Sequence, residues 1–192
     1  MSEAALYLAS RSPRRRQLLD QLGLSHVVLE VEVDESWDGR EPPAEHVRRL
    51  ALAKARIGRA LLPAGRPAVV LAADTAVVID GTILGKAEDL AAACRMLALL
   101  SGRPHRVYTG VAVIDGEGGE HWAVSETVVY FRTLAAAEID AYCATGEPLG
   151  KAGAYAIQGR AAAFIERIEG SYSGVMGLPL FETAELLKTV VP

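Results

Sequence analysis

The sequence predicts an α/β protein whose helices flank a mixed β-sheet. Short apolar runs such as LYLAS (residues 6–10) and AVVLAAD (68–74) alternate with longer segments whose apolar residues recur at helical spacing. Two hairpin signals, Asp80-Gly81 and the glycine-rich stretch at 116–119, interrupt that alternation and rule out a purely parallel order. The chain has 192 residues, 51% hydrophobic and 23% charged, enough to bury a core without disulfides or metal staples. No internal repeat, low-complexity tract or long linker divides it, so residues 1–192 are expected to form one domain with two lobes.

The elements follow in order. LYLAS reads as a buried strand that the opening residues MSEAA enter directly. Ser12 then caps a helix with Pro13 at its first position, Leu18, Leu19 and Leu22 as its apolar stripe and Gly23 as its stop. Residues 26–35 (HVVLEVEVDE) are β-rich and end in an acidic corner. A long helix is expected over about 43–62, closed by Pro63 and Gly65. The stretch 67–86 reads as one apolar run reaching Asp74 at its end, then a second run turning at Asp80-Gly81. A helix at 90–100, two long strands within 105–131, a helix near 135–144, a strand in AAFIERIEG (162–170) and a helix near 179–189 complete the chain.

The formal charge of −4 argues against a general nucleic-acid binder, which carries a basic face, so any phosphate recognition must be local. No apolar run approaches the length of a membrane span and no signal peptide opens the chain. Cys94 and Cys143 lack metal-ligand spacing and read as buried free thiols of a cytoplasmic protein. His26, His46, His105 and His121 show no ligand spacing and no nucleophile elbow accompanies them; a hydrogen-bonded strand histidine is the simpler reading of His105.

Arg11, Arg14, Arg15 and Arg16 crowd the start of the first helix, where unpaired N–H groups and the helix dipole favour an anion. Ser10, Ser12 and an arginine fork match phosphate oxygens there, although a capped helix with solvated arginines fits the spacing equally well; Arg15 shares the inward face with Leu19 and Leu22. No Gly-Lys-Ser/Thr phosphate loop and no Gly-x-Gly-x-x-Gly fingerprint occurs. Lys54 falls on the apolar stripe of its helix and either snorkels to the edge, the simpler reading, or points at a negative group. Asp74 ends a strand apolar enough to be buried on both faces, where a carboxylate can hold a divalent cation or take a proton from water. Glu35, beside Asp34 and Glu32, could share the cation. Thr75 adds a hydroxyl, Lys86 follows a glycine after a strand, and Lys151 and Gln158 flank a glycine-rich close-approach loop where a glutamine can read a base edge.

Five segments occur in order: ASRSPRRRQLL, AADTAVVIDGTILGK, SGRPHRVYTGVAV, KAGAYAIQG and IEGSYSGVMGLPL. Together they resemble the Maf family of nucleoside triphosphate pyrophosphatases, also called septum-formation inhibitors, over essentially the whole chain. The resemblance implies a fold similar to the inosine triphosphate pyrophosphatases, with a cleft between two lobes. It also implies hydrolysis of a nucleoside triphosphate to the monophosphate and pyrophosphate with a divalent metal (Mg²⁺, Mn²⁺ or Co²⁺), and relatives suggest a homodimer. KAGAYAIQG looks like the branch acting on dTTP and UTP rather than the one preferring 7-methyl-GTP. Carried over by position, Asp74 is the proton acceptor and Arg14, Thr75 and Gln158 are specificity positions. Ser10, Ser12, Arg15, Glu35, Lys54, Lys86 and Lys151 line the cleft, with Glu35 and Asp74 on the metal. Ala87 stands where many relatives have proline, and Gly150 where many have aspartate. A nucleotide-binding regulator of septum formation with incidental catalysis is the alternative of a different class.

Overall fold

A computed structural model describes residues 5–63 and 68–190. The expectations for residues 1–4, for Gly65 and for Pro67 lie outside the described residues. Strand β1 (Ala5–Ala9) leads into α1 (Pro13–Gln21), β2 (His26–Leu29) and α2 (Pro43–Ala60). Strands β3 (Ala68–Ile79) and β4 (Thr82–Leu84) follow, then α3 (Leu90–Leu100) and the hairpin of β5 (Pro104–Ile114) and β6 (Glu120–Phe131). Last come α4 (Ala136–Cys143), a 3-10 turn at Arg160–Phe164, β7 (Ile165–Glu169), α5 (Tyr172–Met176) and α6 (Leu180–Val190).

All seven strands form one sheet, ordered β2-β1-β3-β5-β6-β7, with β4 paired to β3. The pairs of β1 with β2 and with β3 are parallel and the others antiparallel, so the sheet is mixed as expected. Asp80 and Gly81 both adopt positive φ in the β3–β4 turn, which matches the twist that a two-residue hairpin requires.

Alternation along β3 sorts the core. Val70 and Ala72 face α2 together with Ala51 and Ala55, while Val69, Leu71 and Ala73 face Leu18 and Leu19 of α1 and Leu187 of α6. Farther along, Val77 and Ile79 enter another core built with α3, α4, Val107, Phe131 and Phe164. The same strand therefore passes from one packed end of the molecule to the other.

Two glycines bring α2 hard against this sheet. A Cβ at Gly110 would stand 2.5 Å from the Val47 carbonyl oxygen, and one at Gly58 would stand 2.9 Å from the Ala9 Cβ. The resulting close approach drives the intervening Lys54 down toward the sheet.

Several expectations are corrected. The β-rich segment 26–35 is a strand only through Leu29, because the chain then leaves β1 and carries Glu35 across the sheet end in a loop. Residues 68–79 are one continuous strand, so Asp74 lies in its middle rather than at its end. The strand expected over 162–170 begins at Ile165, and Ala162, Ala163 and Phe164 close a 3-10 turn that seats Phe164 on Phe131. Helix α5 was not anticipated. Cys143 is buried, whereas Cys94 is only half-buried on α3; both are free thiols. Burial and a hydrogen bond with Cys94 push the Cys143 thiol up to about 12. Among the described residues no helix is long and apolar enough to cross a membrane.

Candidate active site

Strand β1 pairs with β3 only through Leu71, while β5 pairs with β3 from Val70 through Val78. From Asp74 onward β3 has thus lost its parallel neighbour, and the gap beside it is a crevice outside the carboxyl end of β1. A cleft of about 420 Å³ fills that gap. It is lined by Ser10, Ser12, Arg14, Arg15, Glu35, Lys54, Asp74, Thr75, Lys86, Lys151 and Gln158. Every residue singled out from the sequence as a site candidate is brought to this one place.

The charge balance is local, as expected. Six cations (Arg11, Arg14, Arg15, Lys54, Lys86 and Lys151) face two carboxylates (Glu35 and Asp74) around the cleft, in a chain whose net charge is −4. Burial lowers the pKa of Arg14, of Arg15 and of Lys151, and the Arg14 charge lowers the last two further. Mutually repelling, partly desolvated cations of this kind favour an anion among them.

At the centre, the Lys54 ammonium donates to Asp74 Oδ1 at 2.6 Å and to Glu35 Oε1 at 2.8 Å. Lys54 and Asp74 are each 7% exposed, so the lysine points at acids and the snorkelling reading is overturned. A buried ammonium needs partners, and α2 is held too close to the sheet for this side chain to reach solvent. Lys86 donates to the other oxygen of Glu35. Burial works to raise the Glu35 pKa, but the hydrogen bonds from Lys54 and Lys86 outweigh it and hold it at about 2.

The arginines divide in role. Ser12 caps α1 by accepting from the Arg15 N–H at 3.5 Å. The Arg15 guanidinium donates from Nε to the Gly177 carbonyl at 2.7 Å, from Nη1 to Ser10 Oγ at 3.3 Å and from Nη2 to Thr75 Oγ1 at 3.3 Å. Three of its five N–H groups are thereby committed to the protein. Thr109 Oγ1 reaches both Thr75 Oγ1 at 3.0 Å and the Gly174 carbonyl at 2.8 Å, so α1, β3, β5 and α5 are tied around one guanidinium. Arg14, by contrast, makes no hydrogen bond or ion pair with the described residues and keeps its whole fork for a ligand. Arg11 pairs with Glu32 at the surface, and Arg16 is exposed.

The opposite wall is carried by loops. Backbone bridges Lys86↔Ala152 and Ala87↔Leu149 lash the Lys86 loop to the Lys151 loop. Ala87 is 1% exposed and donates its N–H to the Lys151 carbonyl, a bond that a proline would forfeit. Gln158 is exposed on the same wall, and the buried Tyr155 below it hydrogen-bonds His105 Nε2 at 2.9 Å. Burial holds His105 at about 4, hence neutral, and this histidine is a structural support.

The family model of the Maf-like proteins matches residues 5–190. The chain belongs to the Maf family. A Burkholderia pseudomallei protein named dTTP/UTP pyrophosphatase is 54% identical over 192 residues, covering 95% of this chain and 92% of its own. Proteins of the same name from Methylobacillus flagellatus (95% and 91% covered) and Bordetella parapertussis (96% and 91% covered) are 54% and 53% identical. Among solved structures, a Mycobacterium abscessus nucleoside-triphosphatase / dITP/XTP pyrophosphatase aligns at 20% identity with a TM-score of 0.44, over 66% of this chain and 74% of its own.

Sequence reasoning missed part of this Maf site. The carbonyls of Gly174 and Gly177 brace Arg15 and Thr109, and they lie in SYSGVMG, which was given no element. Ser171, whose hydroxyl accepts from the Gly174 N–H, and Gly177 in the left-handed region were the available cap signals for α5.

Proposed function

We propose that this Maf-family protein hydrolyses dTTP and UTP to the monophosphate and pyrophosphate. The observation that carries the reading is a single buried carboxylate, Asp74, hydrogen-bonded to Lys54 at the floor of a cleft with an excess of cations. The names of relatives more than half identical point to the pyrimidine nucleotides.

Arg14, Lys86, Lys151 and the first N–H groups of α1 neutralise the triphosphate and hold it in line for attack at the α-phosphorus. Asp74 accepts a proton from the attacking water. Lys54 donates to Asp74 Oδ1 and fixes the orientation of its carboxylate, and Arg15 keeps Ser10 and Thr75 at the edge of the cleft. Gln158 offers both a donor and an acceptor to a pyrimidine edge. Pyrophosphatases of this kind generally use a divalent metal, and the donor set suits one. Among the described residues no group of three His, Cys, Asp or Glu converges, but Glu35 and Asp74 meet at Lys54. Magnesium is commonly held by one or two carboxylates plus substrate phosphates, so these two residues would hold it with the nucleotide completing the shell. When bound, the cation supplies charge neutralisation of the phosphate oxygens. The chain is read as one functional unit located in the cytoplasm and as a homodimer, the last of which light scattering on the purified protein checks.

A screen of pyrophosphate release over the common nucleoside triphosphates, with Mg²⁺, Mn²⁺ and Co²⁺, tests the reading. Highest kcat/KM on dTTP and UTP is expected. Preference for 7-methyl-GTP would move the chain to the other branch, and tight binding without turnover would favour a regulatory role.

A further inference from the structure

We infer that Glu147, a residue outside every motif considered above, is the positioning residue that sets the base-reading geometry of Gln158. The inference rests on the nucleotide-hydrolysing reading of the cleft. Glu147 follows α4 and sits half-buried behind the loop wall. Its Oε1 accepts from the Tyr142 hydroxyl at 2.9 Å, and its Oε2 accepts from the backbone N–H of Arg160 at 3.2 Å. Tyr142 is 4% exposed within the core formed with Phe164, so the carboxylate is anchored from inside the molecule. Its other oxygen grips the backbone two residues beyond Gln158. A Cβ at Gly159 would overlap the same carboxylate, so glycine there leaves the room in which Glu147 lies against the chain. Gly159 also donates its N–H to the Ala156 carbonyl at 3.0 Å, which closes the turn that presents Gln158.

The main chain of Glu147 does something separate: its carbonyl accepts from the Lys151 ammonium. One residue therefore reaches two of the three nucleotide-binding residues expected on this wall, with its carboxylate holding the chain beside the base reader and its carbonyl holding the phosphate lysine Lys151. The two roles are separable, because a side-chain substitution removes the first and leaves the carbonyl in place. Glutamine is a conservative replacement: its amide oxygen can accept from Arg160 while its amide nitrogen donates to the Tyr142 oxygen. Alanine loses both contacts.

The test compares wild type, Glu147→Ala, Glu147→Gln and Tyr142→Phe. The readouts are kcat/KM for UTP and GTP, and inhibition by inorganic tripolyphosphate, a base-free probe of the phosphate site. Loss of two hydrogen bonds predicts that Glu147→Ala lowers the UTP-to-GTP preference about tenfold, through KM for UTP. Tyr142→Phe, losing one, is expected to lower it about threefold. Glu147→Gln should recover most of the preference, with tripolyphosphate inhibition held in all folded variants. An unchanged preference in Glu147→Ala, or equal loss of preference and of tripolyphosphate inhibition, overturns the inference. If Glu147→Ala does not fold, Tyr142→Phe and Glu147→Gln decide by the same ratio. Wild type without turnover of any nucleotide would overturn the functional reading itself, and this inference with it.

Discussion

The two walls of the cleft are built on different principles. On one, Arg15, Lys54, Asp74 and Thr75 stand on helices and strands and are bound to one another or to carbonyls far away in sequence. On the other, Lys86, Lys151 and Gln158 ride on loops joined by isolated backbone bridges, and Lys86 is exposed. The braced wall has its geometry fixed before a ligand arrives, as proton transfer from water demands. The loop wall can shift by small backbone movements, which suits reading a base and following a leaving group. Substitutions should therefore damage rate on the first wall and selectivity or KM on the second.

The largest effect expected is from Asp74→Asn, which removes the proton acceptor and should lower kcat on UTP by roughly 10²–10⁴-fold. A melting curve close to wild type would show that chemistry, not folding, was lost. Lys54→Met comes next: it leaves Asp74 and Glu35 facing each other without their cation. Breaking a buried pair of this kind costs about 3–5 kcal/mol of stability. Added Mg²⁺ should raise the melting temperature of this variant more than that of wild type, and an equal shift would speak against a shared metal site at Glu35 and Asp74. Lys86→Ala, on the loop wall, should raise KM for UTP about tenfold through one lost charge-assisted contact. Its surface ion pair with Glu35 is worth less than about 1 kcal/mol, so stability should scarcely move.

A separate effect, on stability rather than on turnover, is a pH dependence rooted in the support of the loop wall. His105 has a folded pKa of about 4, lowered from 6.5 by burial. Between those values the unfolded chain takes up a proton that the folded one refuses, so this stability is full above pH 6.5 and is lost as pH falls toward 4. The loss is at most about 3 kcal/mol. Chemical denaturation across this window should show the decline, and His105→Gln should flatten it whatever its own starting stability.

Much of the braced wall was legible in the sequence because local rules locate it. Ser12-Pro13 marks a helix start, the apolar run before Asp74 marks a buried strand, and arginines beside a helix start mark an anion site. What local rules could not give was the partner of each charge. Lys54 read as a snorkelling side chain because periodicity shows a face and not what lies opposite it; only Gly58 and Gly110 together decide that α2 comes too close for escape. Arg15 read as inward-facing, but the Gly177 carbonyl that commits it to the protein is 162 positions away. The loop wall was legible mainly through family resemblance, since glycine-rich loops lack periodicity. Its support by Glu147 left no pattern at all.

That long-range bond from Arg15 to Gly177 also has a consequence in time. A growing chain emerges with its arginines, its lysines and Asp74 well before Gly174 and Gly177 exist to receive their hydrogen bonds. Until α5 has emerged and docked, Arg15 and Thr109 lack the carbonyls that seat them, and closing so wide a loop is slow and entropically costly. The nascent protein thus carries a complete set of charges around an unfinished mould.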